Sequence, residues 1–202
     1  MRKDDDRFAV TRRRFLFGSG AAAAASTLDC RVGEFPLSGA SAVVGPGKVP
    51  AVLRVNGADH HVTVEPRATL ADTLRFELGM TGTKVSCDRG SCSACTVWID
   101  DTPVCACTTF ALDAAGRSIT TIEGLSQGDT LHPVQQAFID HDALQCGFCT
   151  PGMIMSCVAL LHRNASPTED DVRTATSGNL CRCGTYPKVF KATLAAASAK
   201  RG

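Results

Sequence analysis

The sequence predicts an α+β protein with two domains, each carrying four cysteines. Residues 46–125 alternate short strand-like stretches with turns and one helical repeat, whereas residues 126–202 have a helical pattern. Eight of the eleven cysteines form two clustered sets, one in each part. A chain of 202 residues is long enough for two small domains. We therefore expect one domain over residues 46–125 and another over residues 126–202, preceded by a signal and linker at residues 1–45.

The first domain is predicted to begin with a β-hairpin. Residues 51–55 and 61–64 have strand composition, and Asn56-Gly57 between them is typical of a tight hairpin turn. Thr69 can cap the helix that follows, in which a leucine recurs at every fourth position. The loop at residues 87–95, which carries three cysteines, comes next. Three further strands are predicted at residues 96–99, 104–107 and 118–122, with a turn at Asp100-Asp101 between the first two.

The second domain is predicted to contain four helices. They are expected at residues 132–140, at residues 151–163 with Thr150 as N-cap, after a capping box at residues 166–169, and at residues 187–200. One pair of cysteines lies between the first two helices and another pair between the last two. Because both connections can meet at one end of a small bundle, we expect these four cysteines to form one site.

The first cysteine set has the spacing of a plant-type [2Fe–2S] site. It reads C-x4-C-x2-C followed by a more distant cysteine, and its members are Cys87, Cys92, Cys95 and Cys107. Gly90 and the small side chains around it allow the backbone to wrap closely around a cluster. Cys105 is an alternative to Cys107 as the fourth ligand. No histidine lies within two residues of any cysteine, which excludes a Rieske centre.

The second cysteine set is compatible with two metals. It reads CxxC followed by CxC, and its members are Cys146, Cys149, Cys181 and Cys183. Four thiolates suit a two-iron cluster and a zinc ion equally well, so this spacing leaves both open. Disulfides are disfavoured because a CxC bridge would close a very small, strained ring. Cys30, Cys105 and Cys157 have no assigned role, although Cys157 in an apolar helix is expected in the core.

Composition and the N-terminal segment bear on partners and location. A net charge of +1, from 21 basic and 20 acidic residues, gives no indication of nucleic-acid binding. The apolar stretch near the N-terminus is too short for a membrane span. Residues 11–17, TRRRFLF, have the twin-arginine form that directs folded proteins to the bacterial periplasm. A basic, alanine-rich tail without a targeting role is the alternative. Candidate cleavage sites lie at residues 23–25 and 40–42.

Longer motifs surround both cysteine sets. Residues 82–97 read GTKVSCDRGSCSACTV, residues 145–152 read QCGFCTPG, and residues 178–186 read GNLCRCGTY. These stretches resemble the GTKxGCxxGxCGACTV, QCGFCTPG and GNLCRCxxY motifs of the small iron–sulfur subunits of xanthine oxidase-family molybdenum hydroxylases. The likeness covers about residues 50–195. Ser86 and Ser93 stand where the family usually has glycine, and Cys105 is an additional cysteine.

The resemblance implies a β-grasp ferredoxin domain of the plant type followed by a four-helix [2Fe–2S] domain. Each cysteine set would hold one [2Fe–2S] cluster, and the chain would be the electron-transfer subunit of an oxidoreductase complex. Such complexes oxidise aldehydes or N-heterocycles. The twin-arginine segment makes the likeness greatest to the exported, periplasmic aldehyde oxidoreductase type.

The resemblance also implies that the substrate chemistry takes place elsewhere, so that this chain has no catalytic residue. A large partner subunit would bind molybdenum with molybdopterin cytosine dinucleotide, and Gln145 and Cys149 would contact the pterin. Electrons would leave through the second cysteine set and then the first, toward a subunit with FAD or a c-type cytochrome. The alternative functions are a free-standing ferredoxin, which needs only the first domain, and a colourless zinc-stabilised binding module.

Overall fold

The computed structural model describes residues 45–199. The twin-arginine segment, both candidate cleavage sites, Cys30 and the predicted helix end at Lys200 lie outside these residues. Two groups of buried side chains form the interior of the described part, one around the sheet of the first half and one among the helices of the second. The domain boundaries at residues 45 and 125 stay predictions.

Five strands form one mixed sheet. They are β1 (Val49–Val55), β2 (Ala58–Val64), β3 (Thr96–Ile99), β4 (Thr102–Cys105) and β5 (Ser118–Thr120). The order across the sheet is β2-β1-β5-β3-β4, with β1 and β5 parallel and the other neighbours antiparallel. This arrangement and the helical second half confirm the predicted α+β fold.

Both hairpins turn where the sequence indicates. Asn56 and Gly57 have φ angles of 51° and 83°, and Asp100 and Asp101 have φ angles of 48° and 61°. Two consecutive residues with positive φ match the right-handed twist of the flanking strands, which is why Asn, Asp and Gly are preferred there. The hairpins β1–β2 and β3–β4 are therefore fixed by local sequence.

Two predicted strand ends are wrong, for local reasons. β4 ends at Cys105, and Cys107 lies in a 3₁₀ turn over Ala106–Thr108. The Thr108 and Thr109 hydroxyls both donate to the Cys105 carbonyl, at 3.2 and 3.1 Å, which stabilises the turn. Similarly, β5 ends at Thr120, and a 3₁₀ turn over Ile122–Leu125 follows it.

The helix of the first domain is capped as predicted but changes type. The hydroxyl of Thr69 accepts a hydrogen bond from the Asp72 amide, at 3.1 Å, and starts α1 at Leu70–Asp72. The chain continues as a π-helical turn over Thr73–Glu77. The wider turn is closed by the Leu78 amide, which donates to the Thr73 carbonyl at 3.1 Å.

Four helices make up the second half: α2 (Pro133–Asp140), α3 (Thr150–Arg163), α4 (Glu169–Ala175) and α5 (Tyr186–Ala199). Their number and positions confirm the prediction, with changes at three N-termini. Cys149, not Thr150, is the N-cap of α3. Thr168, not Ser166, caps α4, because its hydroxyl and the Asp171 carboxylate satisfy each other's backbone amides. α5 begins one residue early, at Tyr186.

The sheet is covered on both faces near β3. Val97 and Ile99 point into the interior of the first half, whereas Trp98 between them is 3% exposed and packs among the helices of the second half. The Trp98 indole N–H donates to the Met155 carbonyl in α3 at 3.1 Å, and its ring contacts His162 edge-on at 5.1 Å between centroids. Trp98 thus joins the two halves.

Candidate metal centres

The loop at residues 87–95 bends sharply so that its cysteines face inward. Asp88, Gly90 and Ser93 all have positive φ, at 53°, 72° and 52°. Such angles reverse the chain direction within a few residues, and only glycine adopts them without strain. Cys92 and Cys95 are buried as a result, and Cys107 from the adjacent 3₁₀ turn is buried beside them.

Backbone amides of this loop point at sulfur. The Gly90 amide donates to the Cys107 sulfur and the Ser91 amide to the Cys87 sulfur, both at 3.3 Å. Hydrogen bonds from the Ser91 hydroxyl, the Arg89 backbone and Cys92 lower the pKa of Cys87 to about 6. Amide donors of this kind stabilise thiolates and tune the potential of an iron–sulfur cluster. The loop is thus chemically suited to hold one.

The first set associates as two pairs. Cys87 interacts with Cys92, and Cys95 interacts with Cys107. Burial, together with the neighbouring Cys107 sulfur, raises the pKa of Cys95 to about 12. A thiol of this kind ionises when a metal takes its proton's place. Two pairs of thiols fit a [2Fe–2S] cluster, in which four cysteines are shared between two irons.

Cys105 is oriented differently from Cys107. Its thiol donates to the Gly90 carbonyl at 3.8 Å and lies 3.7 Å from the Ser93 hydroxyl oxygen. Cys107, in contrast, receives the Gly90 amide N–H at its sulfur. The geometry favours Cys107 as the fourth ligand, and the assignment stays a prediction.

The second set is closer to the surface, and its four cysteines lie near one another. Cys149 interacts with Cys181 and Cys146, and Cys183 interacts with Cys146 and Cys181. Cys146 and Cys183 are exposed, whereas Cys149 and Cys181 are half-buried. The α2–α3 and α4–α5 connections therefore meet, as the sequence predicts.

The pKa values of Cys149 and Cys181, the half-buried members of the second set, are shifted in opposite directions. Burial and the neighbouring Cys181 sulfur raise the pKa of Cys149 to about 12. Burial also acts to raise the pKa of Cys181, but hydrogen bonds from the Thr185 hydroxyl and backbone and from Cys149 outweigh it and lower the value to about 7. Within residues 45–199, no group of three or more His, Cys, Asp or Glu side chains is placed to hold a single metal ion.

The two sets are adjacent. A cavity of about 490 Å³ is lined by Cys87 and Cys92 of the first set and by Cys146, Cys149 and Cys181 of the second. The Leu180 amide donates to the Cys92 carbonyl at 3.0 Å, so one hydrogen bond connects a cysteine of the first set to the neighbour of Cys181. This contact holds the cysteine-bearing segments of the two sets against each other.

Gln145 is exposed and lines a different cavity from Cys149. That cavity, of about 660 Å³, also has Leu144, Cys183 and Lys188 in its wall. The expected contact of Gln145 and Cys149 with a pterin stays a prediction. Cys157, in contrast, is fully buried in α3 as expected.

Several residues that shape these centres are not cysteines and were not among the predicted site residues. Asn179 and Tyr186 hold the segment before Cys181, and Thr185 bonds its sulfur. All three lie in the GNLCRCGTY motif, which is the sequence feature that indicates their importance.

No helix among residues 45–199 is long and apolar enough to cross a membrane.

Comparison with known families gives each half a match. Residues 53–118 match the family described as 2Fe-2S iron-sulfur cluster binding domain, and residues 121–194 match the family described as [2Fe-2S] binding domain. Both halves are therefore iron–sulfur domains, which decides between iron and zinc for the second set. The fold and the paired cysteines together define a two-domain iron–sulfur protein with two [2Fe–2S] clusters.

Known proteins match this chain over most of its length. The aldehyde oxidoreductase iron-sulfur-binding subunit PaoA of Escherichia coli K12 is 42% identical over 89% of this chain and 85% of its own length. The nicotine 6-hydroxylase small subunit of Paenarthrobacter nicotinovorans is 48% identical over 73% of this chain and 88% of its own. Quinoline 2-oxidoreductase from Pseudomonas putida 86 has a chain of similar structure, with a TM-score of 0.73 and 46% identity over 76% of this chain and 96% of that chain. The protein belongs to the iron–sulfur electron-transfer subunits of the xanthine oxidase-family molybdenum hydroxylases.

Proposed function

We propose that this chain docks on a large molybdenum-binding subunit through the surface around its second cysteine set and conducts electrons away from it. When bound, the two clusters supply one-electron uptake and release. The chain's own residues hold them in a defined order, with Cys146 and Cys183 at the surface and Cys92, Cys95 and Cys107 buried. This difference in exposure is the observation that carries the proposal.

Apolar side chains surround the exposed set. Leu144, Phe148 and Leu180 are 37%, 46% and 57% exposed. All three lie in the two connections that carry the second cysteine set. Large apolar groups left in water at one place are typical of a protein interface. The same surface would bring Gln145 and Cys149 to the pterin of molybdopterin cytosine dinucleotide on the partner.

The substrate class and the electron acceptor follow from resemblance. The aldehyde-oxidising relative matches more of this chain, 89%, than the nicotine-hydroxylating one, 73%. We therefore infer an aldehyde as substrate, with an N-heterocycle as the alternative. A subunit with FAD, or a c-type cytochrome, would take the electrons from the first cysteine set.

Replacing Leu144 with aspartate is expected to separate the chain from its partner. A tagged wild-type chain, purified from cells grown with molybdate, should retain molybdenum. A charge placed in an apolar docking surface typically weakens binding tenfold or more, so Leu144→Asp, assayed near the wild-type Kd, should retain several-fold less molybdenum while its iron content is unchanged. Phe76→Asp is the control, because Phe76 is also exposed but lines another cavity. Wild-type chain that purifies with iron but without molybdenum contradicts the proposal.

We also infer that the chain is exported to the periplasm in folded form, on the basis of residues 11–17. Replacing Arg12 and Arg13 with lysine should leave the iron-containing chain in the cytoplasmic fraction, whereas the wild-type chain reaches the periplasmic fraction. Arg7→Lys, outside the motif, serves as the control and should be exported. Periplasmic recovery of the double variant at the wild-type level argues for a different route.

A further inference from the structure

We propose that Asn179 is a positioning residue that fixes the separation of the two cysteine sets. It belongs to neither set, yet it contacts the loop that carries one and precedes the loop that carries the other. The inference deepens the proposed electron-transfer role and rests on the ligand assignment given above.

The side chain of Asn179 is 3% exposed, and both of its polar atoms are hydrogen-bonded. Its amide nitrogen donates to the Ser93 carbonyl at 3.1 Å, and its amide oxygen accepts from the Ser156 hydroxyl in α3 at 2.8 Å. A carbonyl can only accept, so the contact with Ser93 requires the nitrogen of the amide. Asn179 therefore bridges the first-set loop and α3, the helix whose N-cap is Cys149.

The Ser93–Asn179 hydrogen bond joins two segments that each carry cysteines. Ser93 lies between Cys92 and Cys95, and Asn179 lies two residues before Cys181. The neighbouring Leu180 amide donates to the Cys92 carbonyl at 3.0 Å. Two successive residues thus bond two successive carbonyls, which fixes the register of one cysteine loop against the other.

Contacts other than the one with Asn179 also hold the Ser93 carbonyl in place. Ser93 has a φ of 52°, a conformation that serine rarely adopts, and the Thr96 hydroxyl donates to its carbonyl at 2.7 Å. At Gly152 the backbone of α3 approaches so closely that a Cβ would lie 2.3 Å from this oxygen. The Ser93 carbonyl, to which Asn179 donates, is therefore held in position by its other contacts.

The backbone of Asn179 is also held in place by hydrogen bonds. The Tyr186 hydroxyl donates to the Asn179 carbonyl at 3.1 Å and accepts from the Cys181 amide at 2.8 Å. Asn179 is thereby connected to Cys181 by a rigid segment. A movement of the Asn179 side chain away from Ser93 would change the distance between the cysteine sets.

The test compares Asn179→Leu with Ser156→Ala in the full chain carrying both clusters. Leucine is similar in size and adds no charge, but it cannot bond the Ser93 carbonyl. Ser156→Ala removes the other hydrogen bond of Asn179 and leaves the contact with Ser93. The readouts are the magnetic interaction between the two dithionite-reduced centres by EPR and the mutual shift of their midpoint potentials in a redox titration, because both depend on separation.

We expect Asn179→Leu to shift the EPR splitting or the mutual potential shift, and Ser156→Ala to leave both at wild-type values even where it lowers Tm. Asn179→Leu with about four irons per chain and both readouts unchanged overturns the role of Asn179 alone. Fewer than about four irons in the wild-type chain overturns the ligand assignment and this inference with it. Should Asn179→Leu not retain its irons, Asn179→Gln, whose longer side chain must displace the Ser93 loop, is measured instead, and unchanged readouts there count against the proposal.

Discussion

Replacing Cys107 with alanine is expected to lower the iron content from about four to about two atoms per chain, whereas Cys105→Ala should leave it at about four. The two cysteines are two residues apart, and spacing alone permits either to be a ligand. Their environments differ. The Cys107 sulfur accepts a hydrogen bond from the Gly90 amide at 3.3 Å, whereas the Cys105 thiol donates to the Gly90 carbonyl at 3.8 Å.

A thiolate bound to iron needs donors around it, and a carbonyl oxygen facing it is repulsive. Cys107 meets that requirement through the Gly90 amide, whereas the Cys105 thiol faces the Gly90 carbonyl. Iron and sulfide assays on the anaerobically purified variants, with visible absorption as a second measure, decide the question. If Cys105→Ala loses iron and Cys107→Ala retains it, the fourth ligand of the first set has been assigned to the wrong residue.

Trp98→Ala is expected to have the largest effect on stability, lowering the free energy of unfolding by about 3–5 kcal/mol. Trp98 is 3% exposed and lies where α3 covers the sheet. Its removal leaves a large cavity among the helices and also leaves the Met155 carbonyl without the indole donor. Because the same contact joins the halves that carry the two cysteine sets, both should lose support together.

The measurement is an apparent Tm at a fixed scan rate, followed by circular dichroism, since a lost cluster makes unfolding irreversible. For a chain of this size the expected loss corresponds to a decrease of roughly 6–20 °C. Trp98→Phe, which keeps an aromatic ring but no indole N–H, should lie between Trp98→Ala and the wild type. Phe76→Ala, at a side chain that is 76% exposed, should be within about 0.5 kcal/mol of the wild type. A Trp98→Ala variant as stable as Phe76→Ala contradicts the assigned role.

The sequence was sufficient wherever the cause is local. Asn56-Gly57 and Asp100-Asp101 turn because these residues tolerate positive φ. The helices of the second half follow from apolar periodicity and from N-terminal signals, such as Pro151 in the first turn of α3. The cysteine sets could be recognised because a metal centre requires a fixed spacing of one residue type.

What escaped prediction depends on contacts between distant residues. The Ser93–Asn179 bond joins positions 86 apart, and the Trp98–Met155 bond joins positions 57 apart. Neither residue has a neighbour that indicates its partner. The chain ends its fourth strand at Cys105, two residues before the predicted end, because threonine hydroxyls stabilise a 3₁₀ turn there. Strand propensity carries no information about such side-chain bonds.

Metal analysis of the full chain tests the central claim most directly. Iron, zinc and sulfide are measured after gentle anaerobic purification, and EPR spectra are recorded after reduction with dithionite. Two [2Fe–2S] centres predict about four irons and about four sulfides per chain, with two distinguishable S = 1/2 signals. Stoichiometric zinc in place of iron, or a single signal from a chain that binds only about two irons, would contradict the account of two clusters in one electron-transfer subunit.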